Sequence, residues 1–239
     1  AYSFGSYDSK PYILLNYTNT LKDVFTIVHE MGHSMHSFYT RKTQPFAYGD
    51  HSIFTAEVAS TVNESLLMQH LLAKETDAEM RKYLINYYIE EFRTTLFRQT
   101  MFAEFEMLTH KEVENGGVLT AEWMCKLYND LNHQYFGPAL APDDYIQYEW
   151  ARIPHFYRAF YVYQYATGYS AATAISAKIL AEGEAARKNY IEFLKSGSSN
   201  DPVELLKIAG VDMSSPEPIR MAMETFKGLV EKLEQLMQA

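Results

Sequence analysis

Cysteine is almost absent from this sequence, and that absence already narrows the class of protein. Cys125 is the one cysteine in 239 residues, which excludes a disulfide framework within the chain. Chains without disulfides fit a reducing compartment, so we expect a cytoplasmic protein. Cys125 lies in an amphipathic helical pattern, which favours a buried and inert thiol.

Long apolar runs and clusters of basic residues are missing as well. The sequence has no stretch of about 18 apolar residues and no charged-then-apolar leader, so we expect neither a membrane span nor a signal peptide. The net charge is −9, and the lysines and arginines are scattered along the chain. This distribution argues against nucleic acid as a partner.

Hydrophobic residues are plentiful enough to form a sizeable core. They make up 47% of the chain, and aromatic residues make up 15%, so we expect residues 1–239 to fold as a single domain. Apolar side chains recur mostly at three- and four-residue spacing. This spacing predicts a mainly α fold with a minor β element near the start.

The predicted elements follow the positions of caps, glycines and prolines. We expect strands at residues 2–4 and 11–15 and helices at 20–40, 53–73, 77–110, from 120, 155–182 (with a break near Gly168), 184–196, 201–209 and 217–237. Pro138, Pro142 and Pro154 bracket an irregular connector before residue 155.

The most informative pattern is the stretch His29-Glu30-Met31-Gly32-His33, which lies inside the first predicted helix. On an α-helix, residues at i and i+4 differ by about 40° around the axis, so both imidazoles project from one face and can bind one metal ion. Glu30 lies beside them, within reach of a metal-bound water. The pattern is typical of a zinc hydrolase with His29 and His33 as ligands.

A catalytic zinc needs a third protein ligand and an open position for water. In a metzincin the motif would continue with glycine and histidine where this chain has His36 and Tyr39, so that class is excluded. The remaining common solution is a carboxylate from a second helix, and Glu57 and Glu64 both qualify. We choose Glu57, because it follows His33 at a distance that lets the chain turn back between two helices.

Glu64 and His36 are candidates for supporting roles. On a helix, Glu64 lies about 20° from Glu57 around the axis but about 10 Å along it, so both carboxylates cannot bind one ion directly. Glu64 either accepts a ring N–H from a ligating histidine or is an ordinary surface glutamate, and its spacing favours neither. His36 lies two turns from His29, so it supports the site instead of binding the metal.

These motifs belong to a longer pattern that resembles oligoendopeptidase F, a family among the thimet-oligopeptidase-like zinc peptidases. The resemblance covers nearly the whole chain, and its segments are Gly5 to Tyr7, Lys10 to Tyr17, His29 to His36, Gln44 to Phe46, Ser52 to Phe54, Ala56 to Glu64, Pro154 to Tyr157 and Tyr161 to Gly168. It implies a helical zincin-type catalytic domain with one zinc ion per chain, bound by His29, His33 and Glu57. It also implies Glu30 as general base and favours Glu64 as a carboxylate behind the ligands.

Between His155 and Gly168 the sequence concentrates aromatic residues. Peptide hydrolysis needs a donor for the developing oxyanion, and the resemblance implies His155 and a tyrosine of this segment in that role. We favour Tyr163 and then Tyr157, because the family's cleft carries a mobile tyrosine that meets the substrate carbonyl. For any single tyrosine here, packing in an aromatic core is an equally good interpretation.

The predicted function is zinc-dependent hydrolysis of internal bonds in short peptides, with Glu30 assisting attack by a zinc-bound water. Two alternatives stay open: a zinc-containing peptide-binding module without turnover, and an exopeptidase with the same zinc chemistry. Members of the resembling family are more than twice as long. The resemblance therefore implies that this chain is the C-terminal catalytic part and that an N-terminal helical portion completes the cleft. Short peptides are the expected partners, without nucleic acid or membrane.

Overall fold

The computed structural model describes residues 1–141 and 143–238, and helices dominate it. Near the start, β1 (Tyr2–Phe4) and β2 (Tyr12–Leu14) form an antiparallel pair in which Tyr2 faces Leu14. The helices are α1 (Leu21–Thr43), α2 (Ile53–Lys74), α3 (Ala78–Phe92), α4 (Arg98–Glu114), α5 (Ala121–Phe136), α6 (Tyr163–Glu182), α7 (Glu184–Leu194), α8 (Pro202–Ile208) and α9 (Glu217–Gln238). The predicted fold class, mainly α with a minor β element, is confirmed.

The described residues form two compact units. The first comprises Ala1–Glu90 and Thr167–Ala239, and its core is formed by α2, α6, α7 and α8 through residues such as Val58, Ile175, Phe193 and Leu206. The second comprises Glu91–Ala166, and its core includes Met101, Phe105, Tyr128, Leu131 and Val162. A single catalytic domain over residues 1–239 stays a prediction.

The helix predicted over residues 77–110 is interrupted in the structure. α3 ends at Phe92, Arg93–Phe97 form a π-helical turn, and α4 continues to Glu114. A π-helical turn inserts one extra residue into the helix. The spacing of hydrophobic residues in this segment does not predict it. None of the helices in residues 1–141 and 143–238 is long and apolar enough to cross a membrane.

The helix predicted from residue 155 is wrong at its start. Pro154–Tyr157 form a 3₁₀ segment, and α6 begins only at Tyr163. Between them Phe160 has a φ of +57° and donates its backbone N–H to Glu106, at 2.8 Å. This left-handed residue and its buried acceptor prevent helical continuation. Pro142 of the predicted connector lies outside the described residues.

The predicted break near Gly168 is also wrong, because α6 runs through it. A glycine inside a helix costs only about 1 kcal/mol relative to alanine, which tertiary packing readily offsets. A Cβ on Gly168 would lie 3.8 Å from the Cβ of Glu57, so this glycine is placed against α2 at an ordinary contact distance.

The start of α1 is held by a capping box. The Thr20 hydroxyl accepts from the backbone N–H of Asp23, and Asp23 Oδ2 accepts from the backbone N–H of Thr20 at 2.9 Å. The same oxygen also accepts from the Thr18 backbone at 3.0 Å and from the hydroxyls of Thr18 and Thr20 at 2.8 Å each. Four donors on one carboxylate oxygen give this helix a defined first turn.

Gly32 sets the distance between α1 and α2. A Cβ at this position would lie 2.5 Å from Ser60 Cα, 2.6 Å from Ala59 O and 2.8 Å from Ser60 N. All three are backbone atoms of α2, so no side-chain rotation could relieve the overlap. Asn63 adds a polar link, since its Nδ2 lies 3.4 Å from the carbonyl oxygen of Val28 on α1.

In Asp23→Asn, the contribution of this cap to the free energy of unfolding should no longer depend on pH. The hydrogen bond from the Thr20 backbone, followed by those from Thr18 and Thr20 hydroxyls, lowers the pKa of Asp23 to about 2. A lowered carboxylate pKa stabilises the fold above the unfolded value near 4, and that stability is lost as pH falls towards 2. The urea midpoint of the wild-type protein should therefore exceed that of Asp23→Asn at pH 5, and the gap should narrow by pH 2.5. Asp201→Asn is the control, because Asp201 precedes α8 without a side-chain capping bond.

Gly32→Ala should destabilise the protein by about 1–3 kcal/mol, because a methyl group inserted against backbone atoms forces α1 and α2 apart. Gly228→Ala is the matched control: it is also inside a helix, and a Cβ there meets nothing within 4 Å. The control should be neutral or more stable by up to about 1 kcal/mol. Denaturant unfolding measures both variants, and equal stability of the two would contradict this account of the helix contact.

Candidate metal centre

α1 and α2 bring together three metal-ligating atoms from residues that are distant in sequence. His29 Nε2 and His33 Nε2 lie 3.1 Å apart. Glu57 Oε2 lies 3.5 Å from the first nitrogen and 3.8 Å from the second. Within the described residues, this is the one group of three or more histidine, cysteine or acidic side chains arranged closely enough to hold a metal ion.

The spacing of these atoms fits a tetrahedral zinc site. Ligand atoms bonded to zinc at about 2.0–2.1 Å in a tetrahedron lie about 3.3 Å from one another. The observed separations of 3.1, 3.5 and 3.8 Å bracket that value and form one face of such a tetrahedron. Two imidazole nitrogens and one carboxylate oxygen are a donor set that zinc accepts, and they leave a fourth position open.

Neighbouring polar groups orient all three side chains. Glu64 Oε2 lies 3.4 Å from His29 Nδ1, at the long end for a hydrogen bond, and so the opposite nitrogen of that ring is directed at the candidate centre. The backbone of Ala56 lies against His33 and tends to raise the pKa of that ring. The Ser60 hydroxyl lies 3.3 Å from Glu57 Oε2 and donates to the Glu57 carbonyl oxygen at 3.0 Å. Glu64 thus lies beside the Nδ1 atom of His29, and its role as a carboxylate behind the ligands stays a prediction.

The two imidazoles have different protonation tendencies. Burial tends to lower the pKa of His29, but the hydrogen bond and negative charge of Glu64, together with Glu57 and Glu30, raise it above the ordinary value. Burial and the neighbouring charge of His29 lower the pKa of His33. A cation binds the deprotonated form of His29, so the raised pKa of this ring makes cation binding weaker at low pH.

Glu30 is buried, with 7% of its surface exposed, and lies between the two histidines in sequence on α1. Its negative charge raises the pKa of both His29 and His33, which shows that its carboxylate acts on the candidate centre. A carboxylate that is not among the three candidate ligands but close to them can accept a proton there.

His36 lies in a separate contact from the three ligand atoms. Its ring is 1% exposed and stacks on His51 with centroids 4.0 Å apart and planes 12° apart, and it also contacts Phe193. The Nδ1 atoms of His36 and His51 are both buried without a hydrogen-bond partner. Burial and then the charges of His51 and His33 lower the pKa of His36 well below its ordinary value, so His36 is neutral at pH 7.

In the second unit, His155 is surrounded by tyrosines. The Tyr165 hydroxyl lies 3.4 Å from His155 Nε2, and the Tyr161 ring stacks on His155 with centroids 5.8 Å apart. Tyr157 is 89% exposed and Tyr163 is 42% exposed. The structure therefore brings His155 together with Tyr161 and Tyr165, and the catalytic roles of Tyr163 and Tyr157 stay predictions.

Sequence reasoning missed three features of these sites. The glycine of the motif, Gly32, has no predicted role, although its place between two ligands on a packed helix is a signal of close approach. His51, the stacking partner of His36, is not among the predicted site residues. Tyr165 is not among the predicted donors, although it lies in the same aromatic segment.

Comparison with known proteins places this geometry in context. A model of peptidase family M3 matches residues 1–225. The chain is 54% identical to oligopeptidase PepF of Bacillus subtilis (strain 168), over 99% of this chain and 35% of that protein. It is 49% identical to an oligoendopeptidase F homolog of Lactococcus lactis subsp. lactis (strain IL1403), over 100% of this chain and 40% of that protein.

The fold also matches that of a solved structure. The crystal structure of oligoendopeptidase-F from Enterococcus faecium matches with a TM-score of 0.83 and 47% identity, covering 91% of this chain and 40% of that chain. The chain thus spans about 35–40% of the length of these relatives.

The contributions of Glu57 and Glu64 to zinc binding can be separated by measuring the zinc content of single variants. Glu57→Ala should lose most of the bound zinc, because it removes one of three ligand atoms. Glu64→Ala should weaken zinc binding by about 10- to 100-fold, because it only releases the His29 ring. Glu224→Ala, on an exposed position of α9, is the control and should bind zinc as the wild-type protein does. Greater zinc loss in Glu64→Ala than in Glu57→Ala would show that the ligand has been assigned to the wrong carboxylate.

Proposed function

Because this chain belongs to peptidase family M3, we propose that it carries the catalytic centre of a zinc-dependent oligoendopeptidase, which hydrolyses internal bonds of short peptides. The observation that carries the proposal is the triangle of His29 Nε2, His33 Nε2 and Glu57 Oε2, with edges of 3.1–3.8 Å and the buried Glu30 beside it. A structural zinc would normally have four protein ligands and no adjacent free carboxylate.

The proposed ligands are His29, His33 and Glu57. A zinc ion held there would supply Lewis acidity, which polarises a peptide carbonyl and acidifies an attacking water. Glu64 supports this binding because, through His29 Nδ1, it keeps the Nε2 lone pair directed at the metal position. Ser60 supports it in the same way by contacting Glu57 Oε2.

Glu30 is the proposed general base. Its carboxylate takes a proton from the water that attacks the scissile carbonyl carbon, while a new C–O bond forms. It then passes that proton to the leaving nitrogen as the C–N bond breaks. The burial of Glu30 and its effect on the pKa of both ligand histidines support this role.

His155 and a tyrosine of the second unit are the proposed donors to the developing oxyanion. Tyr163 and Tyr157 remain candidates from the sequence. The contact of 3.4 Å between the Tyr165 hydroxyl and His155 Nε2 supports Tyr165 as a third.

The substrates and the complete cleft are also part of the proposal. The similarity to an oligopeptidase and an oligoendopeptidase F homolog supports short peptides as substrates. This chain corresponds to about 35–40% of those proteins, which supports a cleft completed by a preceding helical portion. A cytoplasmic location stays a prediction.

Glu30→Gln should bind zinc normally and lose at least about 100-fold of its turnover, because the amide keeps the shape of the side chain but cannot accept the proton. The substrate is an internally quenched peptide with both ends blocked, and a chelator should abolish its cleavage. Glu224→Gln is the control and should keep full activity.

Each outcome separates the proposal from its alternatives. Substantial turnover by Glu30→Gln would refute the role of Glu30. Cleavage only of peptides with free ends would favour an exopeptidase. Zinc-loaded protein that binds peptides without cleaving them would favour a binding module.

A further inference from the structure

A cavity of about 510 Å³ opens beside the candidate metal centre within the first unit. His33 and Glu57 line it, together with residues that follow β1 and with the segment between α1 and α2. Phe4 and Phe46 contribute large side chains to its wall, and both are more than 70% exposed. Much of the wall is thus apolar surface available to a bound chain.

Arg41 provides a positive charge in the wall of this cavity. It lies on α1 with His33 and Ser37, at four-residue intervals, and all three line the cavity. Eight residues of helix rise about 12 Å, so Arg41 lies about that far along α1 from the ligand His33. The cavity therefore leads from the candidate metal centre to a guanidinium group.

The guanidinium group has no partner in the described part of the chain. Its Nη1 atom is buried and makes no hydrogen bond, and no ion pair involves Arg41 within residues 1–141 and 143–238. Asp50 lines the same cavity, but its side chain is 90% exposed, and its Oδ1 accepts from the backbone N–H of His51 at 3.0 Å. Other arginines are satisfied: Arg81 donates to two carbonyl oxygens, Arg98 and Arg152 bond Glu149, and Arg187 bonds Glu184.

The backbone around Arg41 leaves room for the group. A Cβ at Gly5 would lie 3.1 Å from Arg41 Nη1 and 2.8 Å from the Lys10 carbonyl oxygen, so a larger residue there would press on the guanidinium. A buried donor that bonds nothing costs free energy, and a ligand that accepts from it recovers that cost. Guanidinium matches a carboxylate through two parallel hydrogen bonds.

We propose that Arg41 forms a subsite for a carboxylate of the peptide substrate. The inference rests on the proposed peptidase function. The carboxylate is that of an acidic side chain or of the C-terminus, since both present the same two oxygens.

Arg41 also counters a repulsion that would otherwise exclude acidic peptides. The chain has a net charge of −9, and Glu57 and Asp50 line the cavity. Apart from Arg41, the charged side chains that line this cavity are the carboxylates of Glu57 and Asp50, which repel a substrate carboxylate. Arg41 therefore determines specificity at this end of the cavity.

The test compares peptides that differ only in one carboxylate. In the complete zinc-loaded protein, kcat/KM is measured for uncharged, end-blocked peptides with a single Glu or Gln placed at each position on both sides of the scissile bond. A second series compares free and amidated C-termini at increasing length. The variants are Arg41→Gln, Arg41→Lys and, as the matched control, Lys42→Gln, which removes a charge from an exposed neighbour.

The wild-type protein should prefer the carboxylate at one position by about tenfold or more, as expected for a hydrogen bond to a charged group. The preference should fall to about one in Arg41→Gln, be partly restored in Arg41→Lys and remain in Lys42→Gln. Zinc content and circular dichroism establish that each variant is folded. A preference for Glu in blocked peptides assigns the subsite to side chains, and a preference for free over amidated ends assigns it to the C-terminus.

A second readout separates this inference from the proposed function. Calorimetry measures the Kd of the same peptides for Glu30→Gln, with and without Arg41→Gln. The carboxylate should tighten binding only where Arg41 is present. Equal binding of the charged and neutral peptides, or a preference that persists in Arg41→Gln, would overturn the subsite. If the wild-type protein cleaves none of the peptides, the proposed function fails while the binding comparison still decides the role of Arg41.

Discussion

The contact between α1 and α2 at Gly32 is the constraint on which the candidate metal centre depends. The two histidines flank this glycine in the motif, and Glu57 lies less than one turn from Ser60, the residue that Gly32 touches. The helices therefore meet at the level of the ligands. Since the ligand atoms lie only 3.1–3.8 Å apart, a shift of the two helices by the width of a methyl group would separate Glu57 from the histidines.

The negative charges around the candidate centre also need to be balanced. Three glutamates, Glu30, Glu57 and Glu64, act on His29, and all are at least partly buried. Clustered carboxylates in a poorly solvated place repel one another, and a divalent cation relieves that repulsion. Because these carboxylates crowd one region, a positive side chain nearby changes the local charge. Arg41 lies in the wall of the adjoining cavity, where its Nη1 has no hydrogen-bond partner among residues 1–141 and 143–238 and its charge counters the excess of negative charge.

Much of the first unit was predictable from local patterns. α1 was predicted at 20–40 and is observed at Leu21–Thr43, directly after the Thr20 capping box. α2 was predicted at 53–73 and is observed at Ile53–Lys74. These elements depend on cap chemistry and hydrophobic spacing within one segment, so a linear sequence contains the information. The segment before α6 could not be predicted from local sequence. The left-handed conformation of Phe160 depends on the carboxylate of Glu106, which lies 54 positions away in the sequence.

Local sequence was enough to predict that His29 and His33 share a helical face with Glu30 beside them, because the helical repeat relates residues four apart wherever the helix lies. It also narrowed the choice of third ligand to two carboxylates. The packing of the helices was needed to show that Glu57 points at both Nε2 atoms while Glu64 contacts His29 Nδ1, and that Gly32 is pressed against α2. It was also needed to show that Arg41 Nη1 is buried without a hydrogen-bond partner among the described residues. Each of these facts is a distance between segments that are far apart along the chain, and such distances arise from packing, which no local pattern specifies.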